Sequence, residues 1–173
     1  MALQKLALVL GGASSGKSAH AEGIVARTGL PRAYLATAEA WDEEMGDRIR
    51  RHREARGPLW RTVEAPLDAA GALHAVPPEE AVLLDCATLW LSNVMLAGRD
   101  VEAEEVRLRA ALAARTSPVV VVSNEVGLGV VPDTPLGRRF REAQGRLNQG
   151  LAADADLVVL VAAGLPLTLK GSP

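Results

Sequence analysis

Gly11, Gly16, Lys17 and Ser18 stand in the spacing Gly-x4-Gly-Lys-Ser. That spacing suits the cradling of a nucleoside triphosphate. Glycines let the backbone curl with its N–H groups turned inward on phosphate oxygens. A helix that follows aims the positive end of its dipole at the same anion. Lys17 would reach the β- and γ-phosphates, and the Ser18 hydroxyl would hold Mg²⁺. A plain strand-to-helix turn needs neither Lys nor Ser after its last glycine. Gly11, Gly12, Ala13, Ser14, Ser15, Gly16, Lys17 and Ser18 are therefore expected to bind nucleotide, with Lys17 also acting in catalysis.

A second group lies downstream, in Arg48-Ile-Arg-Arg-His-Arg-Glu-Ala-Arg56. Trp41, Met45, Ile49, His52 and Arg56 advance by four, four, three and four positions, so on a helix they share one face. That face begins apolar and ends in His and Arg, as a helix leaving the core for an anion site would. Neighbouring cations lower an imidazole pKa and favour its neutral, nucleophilic form. His52 is therefore the candidate for covalent catalysis at phosphorus. Asp85 ends an apolar stretch, where a carboxylate orients Mg²⁺ or its water; the competing role is an N-cap. Glu125 follows four consecutive valines and is either a base or metal partner on the same rim or an ordinary loop residue. His20 and His74 lie outside any cationic cluster and are weaker candidates. Cys86 reads as a small core residue rather than a nucleophile.

These residues need elements to position them, and strand and helix signals alternate throughout. Strands are expected at Lys5–Leu10, Ala33–Thr37, Trp60–Ala65, Ala81–Asp85, Pro118–Ser123 and Leu157–Ala162, with an edge strand at Pro166–Lys170. Helices are expected at Ser18–Arg27, Asp42–Arg56, Pro66–His74, Thr88–Ala97, Val101–Ala114 and Leu136–Ala153, and a Gly-containing loop at Asn124–Pro132. Near-continuous apolar strands alternating with helices mean a parallel sheet covered on both faces. Sites in such sheets lie at the carboxyl ends of the strands, so the loops after Leu10, Thr37, Leu84 and Val122 should converge. The expected class is α/β: a P-loop NTPase with a mostly parallel, RecA-like sheet in a three-layer α/β/α arrangement.

The 173 residues suit one domain, 1–173. The net charge of -2 gives no general attraction to nucleic acid or anionic membrane. One cysteine excludes an internal disulfide and suits a reducing cytoplasm. No apolar run reaches the roughly 18 residues needed to span a bilayer, and the N-terminus lacks a secretory pattern.

The motifs together resemble the bifunctional adenosylcobinamide kinase / adenosylcobinamide-phosphate guanylyltransferase family of cobalamin biosynthesis. The resemblance rests on Gly11–Ser18 followed by Ala21-Glu22, Tyr34-Leu-Ala-Thr37, Asp42-Glu-Glu-Met45 and Arg48-Ile-x-x-His52-Arg. It continues through Trp60-Arg-Thr62 with Glu64, Leu84-Asp-Cys86 and Thr88-Leu-Trp-Leu-Ser-Asn93. Ser123-Asn-Glu-Val-Gly127 with Gly129, Val131-Pro132 and Gly145-Arg-x-Asn-Gln149 complete it. The resemblance implies phosphorylation of adenosylcobinamide by ATP or GTP, then transfer of GMP from GTP to the resulting phosphate through a guanylyl-histidine at His52. It places nucleotide contacts at Gly11–Ser18, at Ala36, Thr37 and Ala38, at Arg53, Glu54, Ala55 and Arg56, at Glu64 and at Asp85. It implies Mg²⁺ as cofactor and a homotrimer. Two positions depart from the pattern: Ser14 stands where Arg is common, and Ala38 where Ser or Thr is common. A phosphate-loop kinase without guanylyl transfer, or a nucleotide-dependent regulator, would use Lys17 and Ser18 but give His52 no role. A guanine switch would carry Asn-Lys-x-Asp after a strand, and Ser123-Asn-Glu-Val is not that.

Overall fold

The computed structural model describes residues 5–39, 46–47, 50, 54 and 56–172. Strand β1 (Leu6–Gly11) runs into the phosphate loop, and α1 (Lys17–Ala26) leaves it. Then come β2 (Arg32–Ala36), β3 (Trp60–Glu64), α2 (Ala69–Ala75), β4 (Ala81–Asp85), α3 (Ala87–Leu96), α4 (Val101–Ala114), β5 (Val119–Asn124), α5 (Pro135–Asp154), β6 (Leu157–Ala162) and β7 (Leu165–Lys170). Within the expected helix 42–56, the described residues Gly46, Asp47, Arg50, Glu54 and Arg56 are helical. The rest of that helix lies outside the described residues.

The strands form one sheet in the order β3-β2-β4-β5-β1-β6-β7. All neighbours are parallel except β6 and β7, which pair antiparallel. The first strand is therefore interior, and the middle strand β5 separates it from β4. Alternate residues of each strand feed two apolar layers. Leu6, Leu8, Leu10, Val82, Leu84, Val119 and Val121 pack with Leu73, Trp90, Leu108, Leu147 and Leu151 from α2–α5. Ala7, Val9, Leu83, Val120, Val122 and Val159 pack with Ala21 and Val25 of α1 on the opposite face. With both faces covered, the strands have no polar face, which is why β1, β4 and β5 read as unbroken apolar runs.

Helix starts differ from the expected positions where a cap side chain decides them. Asp68 accepts from Gly71 N at 3.0 Å and so starts α2 after Pro66 and Leu67. Thr134 caps α5 and puts Pro135 in its first turn, a position where a missing N–H costs nothing. Arg115 is buried, and its guanidinium donates to the carbonyls of Leu73, Val76, Pro77 and Glu80 and to Ser117 Oγ. It thereby ties the segment after α2 to the foot of β4. No helix is long and apolar enough to cross a membrane among the described residues.

Candidate active site

The phosphate loop is shaped by two left-handed residues, Ser14 (φ 54) and Gly16 (φ 92). The second is the N-cap of α1 and supplies no side chain there. The loop fits tightly on its underside. A Cβ on Gly11 would stand 2.4 Å from Ser15 Oγ and 2.7 Å from the Val161 carbonyl. The turn between β6 and β7 braces it from the side: Gly164 N donates to Ser15 O at 2.9 Å. Ala163 and Gly164 both have positive φ, 52 and 77, as the tightest hairpin turns demand. Gly12, Ala13 and Ser14 are exposed on the outer side, and Ser15 is buried. Lys17 Nζ lies over the loop, donating to Gly12 O at 2.9 Å.

The carboxyl ends of β3, β2 and β4 are in register, Glu64 with Ala36 and Ala36 with Asp85. Register partners in a parallel sheet point to one face, here the face of α1, because Tyr34, Leu83 and Trp60 share that layer. Glu64 and Asp85 are thus about 10 Å apart, two strand spacings, on the side from which α1 leaves the phosphate loop. The helix after Asp85 is capped by Cys86, whose Sγ accepts from Leu89 N at 3.4 Å. The half-buried Asp85 carboxylate is therefore not consumed as a cap. Cys86 is a core thiol: burial first, then the Asp85 charge, pushes its pKa up to about 11.

Thr37 is fully buried, and its polar groups are all engaged. Its Oγ1 donates to Cys86 O and accepts from Cys86 N, both at 2.8 Å. Its N–H donates to Asp85 O, and its carbonyl accepts from Asn93 Nδ2 at 2.9 Å. Asn93 also donates to Pro66 O at 3.0 Å. Thr37 thus fixes the backbone on which Asp85 stands, and the more accessible Ala36 and Ala38 flank it.

Arg56 comes to the same rim from the segment before β3, with its guanidinium carbon 3.4 Å from the Tyr34 ring centroid. Glu22 of α1 faces the same place. Burial raises its pKa, while Arg56 pulls it down and Asp85 pushes it up. Glu54 is helical and exposed. His52, Arg53 and Ala55 lie outside the described residues.

Two sequence-derived candidates take minor positions. Glu125 Oε1 accepts from Gly127 N at 2.6 Å, so this carboxylate closes a turn of its own loop. It also borders a groove of about 490 Å³ with Leu10, Gln149 and Leu169. His74 is exposed and bonds Ala70 O, and His20 lies on α1 with its pKa lowered by burial and by Arg27. Sequence reading passed over Asn124. It pairs in register with Gly11, and among the described residues its Oδ1 is buried without a hydrogen-bond partner. Below it, Thr88 Oγ1 accepts from Asn124 N at 2.7 Å, and Asn148 Nδ2 donates to Asn124 O. Ser123 Oγ donates to Asn148 Oδ1, and Gln144 Nε2 donates to both of those oxygens. An uncharged residue at the end of a polyvaline strand carries little signal by itself; only the strand order puts it between the phosphate loop and β4.

Mg²⁺ fits this donor set. Among the described residues no group of three or more His, Cys, Asp or Glu could hold a metal ion. Mg²⁺ carried on nucleotide phosphates needs only one or two hard protein oxygens. Ser18, at the start of α1, and Asp85 offer a hydroxyl and a carboxylate of that kind.

The family described as cobinamide kinase / cobinamide phosphate guanyltransferase matches residues 7–169. The bifunctional adenosylcobalamin biosynthesis protein CobP of Pseudomonas aeruginosa is 44% identical over 169 residues, covering 96% of this chain and 98% of that protein. The bifunctional adenosylcobalamin biosynthesis protein CobU of Escherichia coli is 40% identical over 179 residues, covering 94% of this chain and 98% of its own. Among solved structures, the flagellar accessory protein FlaH from Methanocaldococcus jannaschii superposes with a TM-score of 0.54 at 12% identity. It covers 96% of this chain and 78% of its own, a likeness of fold alone. The mostly parallel sheet with flanking helices is a P-loop NTPase fold.

Proposed function

Because the chain belongs to the cobinamide kinase / cobinamide phosphate guanyltransferase family, we propose that it catalyses both reactions in one nucleotide cleft, within a single domain spanning 1–173. In the first, the γ-phosphoryl group of ATP or GTP passes to the aminopropanol hydroxyl of adenosylcobinamide. In the second, GTP gives GMP to the resulting phosphate and releases pyrophosphate. The observation that carries the reading is the convergence of the phosphate loop, Asp85, Glu64 and Arg56 at one end of the sheet, on the face of α1.

The chain's own residues divide the work. Gly11–Ser18 grip the β- and γ-phosphates through backbone N–H groups and Lys17. Ser18 and Asp85 would hold Mg²⁺, which neutralises phosphate charge. Ala36 and Ala38 border the nucleotide, with Thr37 securing the backbone between them. Arg53, Glu54, Ala55, Arg56 and Glu64 complete the contacts. In guanylyl transfer, a ring nitrogen of His52 forms a bond to the α-phosphorus as the bond to the pyrophosphate oxygen breaks. The phosphate of the corrinoid then displaces GMP and restores the imidazole. Splitting one displacement into two lowers each barrier. In phosphoryl transfer His52 has no covalent part.

The test is labelling with GTP carrying α-³²P. An acid-labile, base-stable label on the protein identifies a phosphoramidate. His52→Ala should abolish that label and guanylylation while keeping kinase activity. Equal loss of both activities in a folded variant would refute the division of labour. Cytoplasmic location and a homotrimer belong to the same proposal. Exposed Leu128 (86%), Val130 (95%) and Val131 (61%) on the loop before α5 support subunit contact, and light scattering of the purified protein measures the mass.

A further inference from the structure

Side chains from separate elements close around one guanidinium. The Arg56 guanidinium carbon lies over the Tyr34 ring, 3.4 Å from its centroid. The Tyr34 ring is fixed in turn. Trp60 meets it edge-on at 6.2 Å and 87°. Glu22 and Asp85 bring negative charge to the same spot. Yet among the described residues Arg56 Nε is buried with no hydrogen-bond partner. A buried donor left unpaired is costly, and a guanidinium stacked on a ring still has its edge free to fork onto a phosphate. Tyr34 itself is buried, so it meets no ligand directly.

We propose that Tyr34 is a positioning residue for the nucleotide. Its ring fixes the plane of the Arg56 guanidinium, which turns its edge to a phosphate of GTP held by the phosphate loop. Tyr34 thus acts through Arg56 alone. The proposal rests on the reading of Arg56 as a nucleotide contact and extends it to a residue outside the contact set. The ring face does the holding.

A double-mutant cycle on GTP affinity tests this, measured by equilibrium dialysis of the full chain, with near-UV circular dichroism to confirm folding. Tyr34→Leu should weaken GTP binding about tenfold, or about 1.4 kcal/mol, within the range for a desolvated cation–π contact. Tyr34→Phe keeps the ring and should stay within about threefold of wild type. Arg56→Ala should weaken binding at least as much as Tyr34→Leu, and the double variant should bind no more weakly than Arg56→Ala. Arg56→Lys keeps the charge without the planar stack and should resemble Tyr34→Leu; this variant carries the test if Tyr34→Leu fails to fold. The proposal is overturned by additive losses in the double variant, by wild-type affinity in Arg56→Ala or Arg56→Lys, or by Tyr34→Phe matching Tyr34→Leu. Binding needs no turnover. A wild-type protein that binds GTP but takes no α-label would refute the guanylyl-histidine and leave the role of Tyr34 standing.

Discussion

Thr37→Val removes one oxygen and keeps the side-chain volume. In the native protein that oxygen both donates to Cys86 O and accepts from Cys86 N, at 2.8 Å each, in a residue with no exposure. Valine leaves the Cys86 N–H unpaired away from water, while the Cys86 carbonyl keeps its bond from Trp90 N. Leaving a buried donor unsatisfied costs about 1–3 kcal/mol. For a domain of this size each kcal/mol moves Tm by about 2–4 °C, so Tm should fall by roughly 2–12 °C. Differential scanning calorimetry without nucleotide is the assay, because a ligand bound to the folded state raises Tm by mass action. Thr37→Ser keeps the hydroxyl and should remain much closer to wild type. Because Asp85 precedes Cys86 and its carbonyl accepts from Thr37 N, the valine variant should also lose both activities together. A Thr37→Val protein melting within about 1 °C of wild type would refute the reasoning, since the hydroxyl would then contribute nothing.

Gly11→Ala should reduce GTP affinity in equilibrium dialysis, because its Cβ would meet Ser15 Oγ and the Val161 carbonyl and displace the loop. The Cys86 thiol, held up to about 11 and buried, should resist a disulfide reagent at pH 8 in the folded protein and react once on denaturation. Asp154 is held below the ordinary aspartate pKa first by its hydrogen bond to Arg109. The ionised form therefore stabilises the fold above the ordinary value, and that contribution is lost as pH falls through the folded one. Asp154→Asn should accordingly melt lower than wild type at pH 7 and converge with it in acid, as Tm measured across pH would show.

Much of the architecture was legible because two covered faces impose a simple pattern. Val119–Val122 could only be a buried strand, and Leu157–Ala162 has the expected boundaries. The phosphate loop announced itself because Lys17 and Ser18 have no purpose in a plain turn. The strand order was less accessible: nothing local to β5 says that it lies between β1 and β4, and Asn124 gains its place only from that insertion. Tyr34 lies inside the expected strand Ala33–Thr37 and is buried like Ala33 and Leu35 beside it; its contact with Arg56 joins positions 22 residues apart with no shared periodicity. Arg115 shows the opposite difficulty. It follows a helix whose arginines, Arg107 and Arg109, are exposed and half-buried, yet its own guanidinium is buried among carbonyls that come together only in the fold.

The brace from Gly164 to Ser15 has a consequence for synthesis. The phosphate loop leaves the ribosome before its supports: β1 pairs with β5 and β6, and the turn that steadies the loop follows β6. A nascent chain therefore carries its nucleotide motif through the synthesis of β2, β3 and β4 with neither flanking strand in place. Non-local pairing of this kind is slow, and it exposes apolar strand surface while it waits. Competence to hold a triphosphate arrives only once the turn after β6 has emerged, so a chain halted at the end of β6 would retain the motif without the support that shapes it.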